Sequence, residues 1–185
     1  MKDTQATAIA LDGTTLALSS RAKTFLVAIC ILASFAVPFL IGHPQLFVGI
    51  LVNALLVLWA LHMKKNLLLP LIMLPSLGVL ARGAVFGPFT MFLVYMMPVI
   101  WLANALLVRG IRYFSATRSW NVLVALCISV AMKCALLFGI AWALVSLGVL
   151  PNIFLTTMGW MQVVTALVGG LLALSASYGM KKLYR

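Results

Sequence analysis

Residues 120–147 read WNVLVALCISVAMKCALLFGIAWALVSL, an apolar run interrupted by one charged side chain, Lys133. A helix needs about 20 apolar residues to cross the hydrocarbon core of a bilayer, and this stretch exceeds that length. Similar runs recur at 24–41, 46–61, 88–108 and 153–178, with a shorter one at 67–80. The chain is 65% hydrophobic and only 8% charged, whereas a soluble domain carries charge on roughly a quarter of its residues. The pattern predicts an all-α integral membrane protein, a single six-transmembrane-helix bundle over 24–180. A polar segment, 1–23, precedes it and a short basic tail, 181–185, follows. No small-residue cleavage pattern follows the first apolar run, so that run is expected to stay as a helix.

The charges orient the bundle. Lys2, Arg21 and Lys23 precede the first span, and Lys64 and Lys65 follow the second. Arg109, Arg112 and Arg118 follow the fourth, and Lys181, Lys182 and Arg185 follow the sixth. With six spans all of these fall on one side, while the loops at 42–45 and 147–152 carry no charge. Positive loops stay cytoplasmic, so both termini are expected inside a cell (plasma) membrane crossed several times. The formal net charge of +11 is thus used for orientation. No basic run is interleaved with aromatics in the manner of a nucleic-acid surface, and no nucleic-acid partner is expected.

Asp3 and Asp12 are the only acids, and both precede the first span. Intramembrane aspartyl catalysis, carboxylate proton relays and carboxylate metal sites all need acids within the fold. Their absence argues against an enzyme, a metal site and a resident cofactor. Cys30, Cys127 and Cys134 lie in apolar runs with no Cys-x-x-Cys pair, as packing residues do. His43 and His62 fall at opposite ends of the second span and cannot share a metal.

Two cations remain outside the cytoplasmic loops. Lys133 sits near the middle of the fifth span, where an unpaired lysine costs at least ~2.5 kcal/mol unless it faces protein or a wet cavity. Cys127, Ala131, Ala135, Gly139 and Ala143 form a small-residue stripe on the other side of that helix. Such a stripe suits close contact with a neighbouring helix, leaving the Ser129–Lys133–Leu137 side to line a cavity. Ser129 and Lys133 also have the spacing of a Ser–Lys dyad, but no oxyanion donor or second motif accompanies them. Arg82 ends a short third span that contains Pro70 and Pro75, and Gly83, Gly87 and Pro88 mark irregular backbone after it. Irregular backbone at membrane depth lines a cavity or is buried in protein. The plainer alternative is an arginine at headgroup level.

Asn53, Asn104 and Gln162 are polar groups within spans two, four and six, suited to interhelical hydrogen bonds or to ligand contact. His43 falls at the outer end of span one, and Tyr95 lies on span four. Together with Arg82 and Lys133, these seven residues are the candidate substrate-binding set. Thr165, Gly169, Ala173 and Ser177 in span six, and Cys30, Ala33 and Ser34 in span one, form close-packing faces.

Six very apolar spans, both termini inside, two outward cations and no nucleotide-binding motif resemble the substrate-binding S components of energy-coupling factor vitamin transporters. The resemblance covers the whole chain but is architectural. The Ala-x-x-x-Ala docking pattern of that family's first helix is matched only approximately, by Ala28/Ala36 and Cys30/Ser34. It implies uptake of a small anionic nutrient or vitamin-like molecule, energised by a transmembrane scaffold subunit and partner ATPases. The alternative is a non-catalytic membrane scaffold or assembly subunit whose small-residue faces hold partner helices.

Overall fold

The computed structural model of the chain describes residues 20–62, 68–83 and 87–183. Most of the polar segment (1–19), Lys64, Lys65, residues 84–86 and Arg185 lie outside the described residues. Among the described residues the fold is entirely helical. The helices are α1 (Ser20–Leu40), α2 (Gln45–His62), α3 (Leu68–Arg82), α4 (Leu93–Arg112), α5 (Val122–Ser146), α6 (Ile153–Met158) and α7 (Trp160–Leu183). A 3-10 turn, Gly87–Phe92, leads into α4, and a π turn, Tyr113–Thr117, leaves it.

Among the described residues, four helical stretches are long and apolar enough to cross a membrane: Gln45–His62, Phe89–Thr117, Val122–Ser146 and Ile153–Gly179. Val27–Leu40 and Leu68–Arg82 are shorter apolar helices. The outward surface suits lipid, with Leu32 70% exposed, Leu69 67% and Trp142 59%. In water an apolar surface of this extent would drive association. The chain is a multi-pass membrane protein by length, composition and surface.

Packing follows small residues where a partner meets them. α2 lies chiefly on α7, α4 on α5 and α1 on α3, with α2 and α4 in contact at the centre. Thr165, Gly169, Ala173 and Ser177 are all buried, so the small-residue face of span six is used within the bundle. A Cβ on Gly169 would overlap the Ile50 carbonyl oxygen, which explains the glycine at this crossing. The two helices approach too closely for any side chain there.

The stripe on α5 is arranged the other way round from the sequence expectation. Cys127, Ala131, Ala135 and Gly139 are exposed, and nothing lies within 4 Å of a Cβ built on Gly139. The buried side of α5 is the Ser129–Lys133–Leu137 side. In lipid the expensive surface to expose is the polar one, so the lysine sets the rotation of the helix and the small residues face outward. Asn121 starts this helix by accepting a hydrogen bond from Leu123 N at 2.8 Å, an ordinary N-cap.

The sixth span is also broken, which its apolar length did not indicate. Gly159 separates α6 from α7 with φ −93° and ψ −115°. Irregular backbone at this position adjoins the cavity described below, as backbone buried within a membrane fold must adjoin protein or a cavity.

Candidate functional site

Lys133 is 2% exposed, and its Nζ donates to Asn53 Oδ1 at 2.6 Å and to Asn104 Oδ1 at 3.0 Å. An ammonium has donors only, so both asparagines must present their carbonyl oxygens to it. Each asparagine is then fixed by its own amide. Asn53 Nδ2 donates to Gly49 O at 2.9 Å and to Thr165 Oγ1 at 3.3 Å. Asn104 Nδ2 donates to Ile72 O at 3.3 Å. No Cα atoms of α2 and α5 come within 8 Å of each other, so the long lysine side chain bridges their backbones and ties α5 to both central helices.

Lys133 is deep in the helix. It lies about 17 Å from the start of α5 and about 20 Å from its end at 1.5 Å per residue. No acid exists among the described residues, because Asp3 and Asp12 precede them. Among the described residues this buried cation therefore rests on two amide dipoles.

Lys133, Asn53 and Asn104 also line a cavity of about 110 Å³. Its other polar lining residues include Gln45, Ser76, Thr157, Gln162 and Thr165. Apolar walls come from Val48, Val52, Val79, Leu93, Ile100 and Leu137, among others. Several of these positions mark one end of the bundle: Gln45 begins α2, Val79 is near the end of α3, and Leu93 begins α4. Gln162 lies at the start of α7, just after the Gly159 break. The cavity thus extends from mid-depth, at Lys133, toward the end that carries the 41–44 turn.

Four of the seven residues singled out by sequence, Lys133, Asn53, Asn104 and Gln162, meet at this cavity. Arg82, His43 and Tyr95 do not line it. Tyr95 is 60% exposed on the outer face of α4 and His43 is exposed in the turn after α1. Arg82 serves the backbone: Nη1 donates to Phe39 O at 2.7 Å and Leu40 O at 2.5 Å, the last carbonyls of α1. Such carbonyls lack partners within their own helix, and a cation there also suits the helix dipole. Gly42, with φ +65°, turns the chain beneath the guanidinium, and a Cβ there would overlap it.

Arg112 makes the same kind of clamp at the other end of the bundle. Its Nε donates to Ala60 O at 3.2 Å and its Nη2 to Trp59 O at 3.0 Å, near the end of α2. The formal Ser–Lys dyad is not formed, since Ser129 Oγ donates to Ala125 O at 2.7 Å while Lys133 holds the asparagines.

Ser76 was not singled out by sequence. It lines the cavity, donates to Met73 O at 2.9 Å and accepts from Trp101 Nε1 at 2.7 Å. Its one sequence signal is a hydroxyl in an apolar helix, directly after Pro75. Thr165, read as a packing residue, is both: it packs on Gly49 and accepts from Asn53.

Compared with protein-family models, curated proteins and solved structures, the chain matches none.

Proposed function

We propose that this protein is a membrane-embedded substrate-binding subunit for uptake of a small anionic molecule, energised by a separate ATPase module. The observation that carries this reading is Lys133, a buried cation that lines a cavity and has no acid within reach among the described residues. A cation in a low-dielectric cavity attracts an anion strongly, because little water screens it. The start of α7 reaches the cavity through Gln162, and the positive end of a helix dipole adds to the same preference.

The topology in this reading has six crossings, α1 to α5 plus α6 and α7 together, with both termini cytoplasmic. The cavity then faces outward, as uptake requires. The distribution of basic residues supports this orientation. The exposed small-residue stripe on α5 gives a partner's transmembrane helix a surface for close approach. The chain carries no nucleotide-binding motif, so the energy source is assigned to a partner, as in the S components that the architecture resembles.

The same lysine favours one competing reading, a scaffold subunit in which Lys133 pairs with a partner's carboxylate. Binding measured on the purified protein in lipid nanodiscs separates the two. Anion binding that disappears in Lys133→Met supports the substrate-binding subunit. Absence of anion binding, with Lys133 cross-linking to an acidic residue of a co-purifying membrane protein, establishes the scaffold instead.

A further inference from the structure

The polar groups around the cavity are unequal in what they can still offer. The hydroxyl protons of Ser76, Thr157 and Thr165 are engaged by backbone carbonyls, at 2.9, 3.4 and 3.3 Å. Both amide protons of Asn53 are engaged as well. An ammonium has three donors and Lys133 uses two, and Asn104 uses one of its two amide protons. Gln45 and Gln162 make no side-chain hydrogen bond among the described residues. What remains for a ligand at the deep end is one N–H on Lys133 and one on Asn104, neighbouring groups joined by the 3.0 Å bond from Lys133 Nζ to Asn104 Oδ1. Two donors and one positive charge match the two oxygens and single charge of a carboxylate.

Charge count and wall chemistry narrow the ligand further. Arg82 is engaged by α1 and does not line the cavity, so Lys133 is the one cation among the lining residues. A phosphate monoester brings about −1.5 to −2 charges at pH 7 and a dicarboxylate brings two, so either would leave charge uncompensated in the cavity. No phenylalanine, tyrosine or tryptophan lines the cavity, so a planar ring would find no stacking partner there. The walls are aliphatic, and the methionines Met158 and Met161 adapt to variable shapes.

Building on the proposed anion-binding role, we infer that the ligand class is an aliphatic monocarboxylate. Its carboxylate is held by Lys133 and Asn104, and its hydrocarbon body lies along the walls formed by Val48, Val52, Val79 and Leu137. The amides of Gln45 and Gln162, nearer the mouth, receive a polar substituent where the acid carries one.

The test uses the full chain in nanodiscs and five probes: hexanoate, hexanol, adipate, benzoate and hexyl phosphate. Affinities come from the concentration dependence of thermal stabilisation, with empty nanodiscs correcting for partition into lipid. Hexanoate should bind most tightly. Hexanol, which lacks the charge-assisted hydrogen bonds, should bind about 10- to 150-fold more weakly. Tightest binding by adipate or hexyl phosphate overturns the monocarboxylate assignment, and tightest binding by benzoate overturns its aliphatic part; each of these leaves the anion site standing. Hexanoate no better than hexanol, with no binding by the other anions, overturns the anion site and the assignment together. The ranking is made on the unmodified chain and does not depend on a variant that folds. Lys133→Met, where it folds, should bring hexanoate down to the affinity of hexanol.

Discussion

Replacing Lys133, Asn53 and Asn104 together by Met, Leu and Leu tests whether the buried trio exists for stability or for binding. In the unmodified chain the ammonium forms two short hydrogen bonds, at 2.6 and 3.0 Å. Hydrogen bonds to a charged group contribute about 1.5–3 kcal/mol each. Against them stands the insertion cost of a mid-membrane lysine, at least ~2.5–3.5 kcal/mol. The two sides are of the same order, so the network's net contribution is small compared with either. Asn53→Leu or Asn104→Leu alone removes one of the lysine's two bonds, with the asparagine's own amide bonds, and leaves the cation under-compensated, so each should cost at least about 1.5–3 kcal/mol. The triple substitution removes the bonds and the desolvation penalty together, and the added leucine methyls can occupy part of the adjoining cavity. Gly49 and Ile72, whose carbonyls lose an amide donor, sit within helices. The triple variant should therefore equal the unmodified protein within about 1 kcal/mol, or exceed it, as apolar replacements of buried charge networks often do. Reversible unfolding by SDS in mixed micelles measures each value. A triple variant destabilised by the sum of its single changes would refute this reasoning and make the trio a stability element. Recovery of stability with loss of hexanoate binding would assign the lysine to ligand.

Three other substitutions and one modification probe the remaining assignments. Arg82→Met should lower stability by about 1–3 kcal/mol through the lost contacts to Phe39 and Leu40, with hexanoate affinity unchanged; a loss of affinity would return Arg82 to the binding set. Gly169→Ala should cost about 1–3 kcal/mol by forcing α2 and α7 apart, whereas Gly139→Ala, with open space around its Cβ, should be neutral or gain about 0.5–1 kcal/mol in helix propensity, both read from the same unfolding curves. A lipid-permeant maleimide should label Cys127 on the folded protein and reach Cys30 and Cys134 only after unfolding, as counted by intact mass.

Span positions were legible because length and apolarity are read directly along the chain, and predicted and observed helix limits agree within a few residues for most spans. Which side of each helix faces inward was legible only in part. Span six and span five carry similar small-residue stripes, yet one is buried and the other faces outward. The difference lies in what else each helix carries. On α7 the stripe includes Thr165, which meets Gly49 and Asn53 of α2, so small size and polarity point the same way. On α5 they point in opposite directions, because Lys133 lies across from Cys127 and Gly139. A close-packing face contributes dispersion that lipid chains can largely replace, while a lipid-facing lysine has no comparable substitute. Polarity therefore decides the rotation, and a stripe rule applied alone fails.

The two isolated cations show why one of them lines the cavity and the other does not. In the orientation expected from the sequence both fall outside the cytoplasmic loops, so both needed a local reason to be where they are. For Arg82 that reason lies at a helix end. A terminus leaves carbonyls without partners, and the arginine is one turn of chain away from those of Phe39 and Leu40 in space, although more than forty residues separate them in sequence. Proximity of that kind is set by the α1–α3 contact and has no sequence signature. Lys133 has no helix end within reach, since it lies at least about 17 Å from either terminus of α5. The acceptors available at that depth are side chains on other helices, and the polar residues of spans two and four were few enough to name in advance. Depth thus separates the two cases: near a helix end backbone carbonyls can hold a cation, whereas at mid-membrane a cation needs a built polar site. That distinction makes Lys133, with Asn53 and Asn104, the group on which a ligand assignment rests.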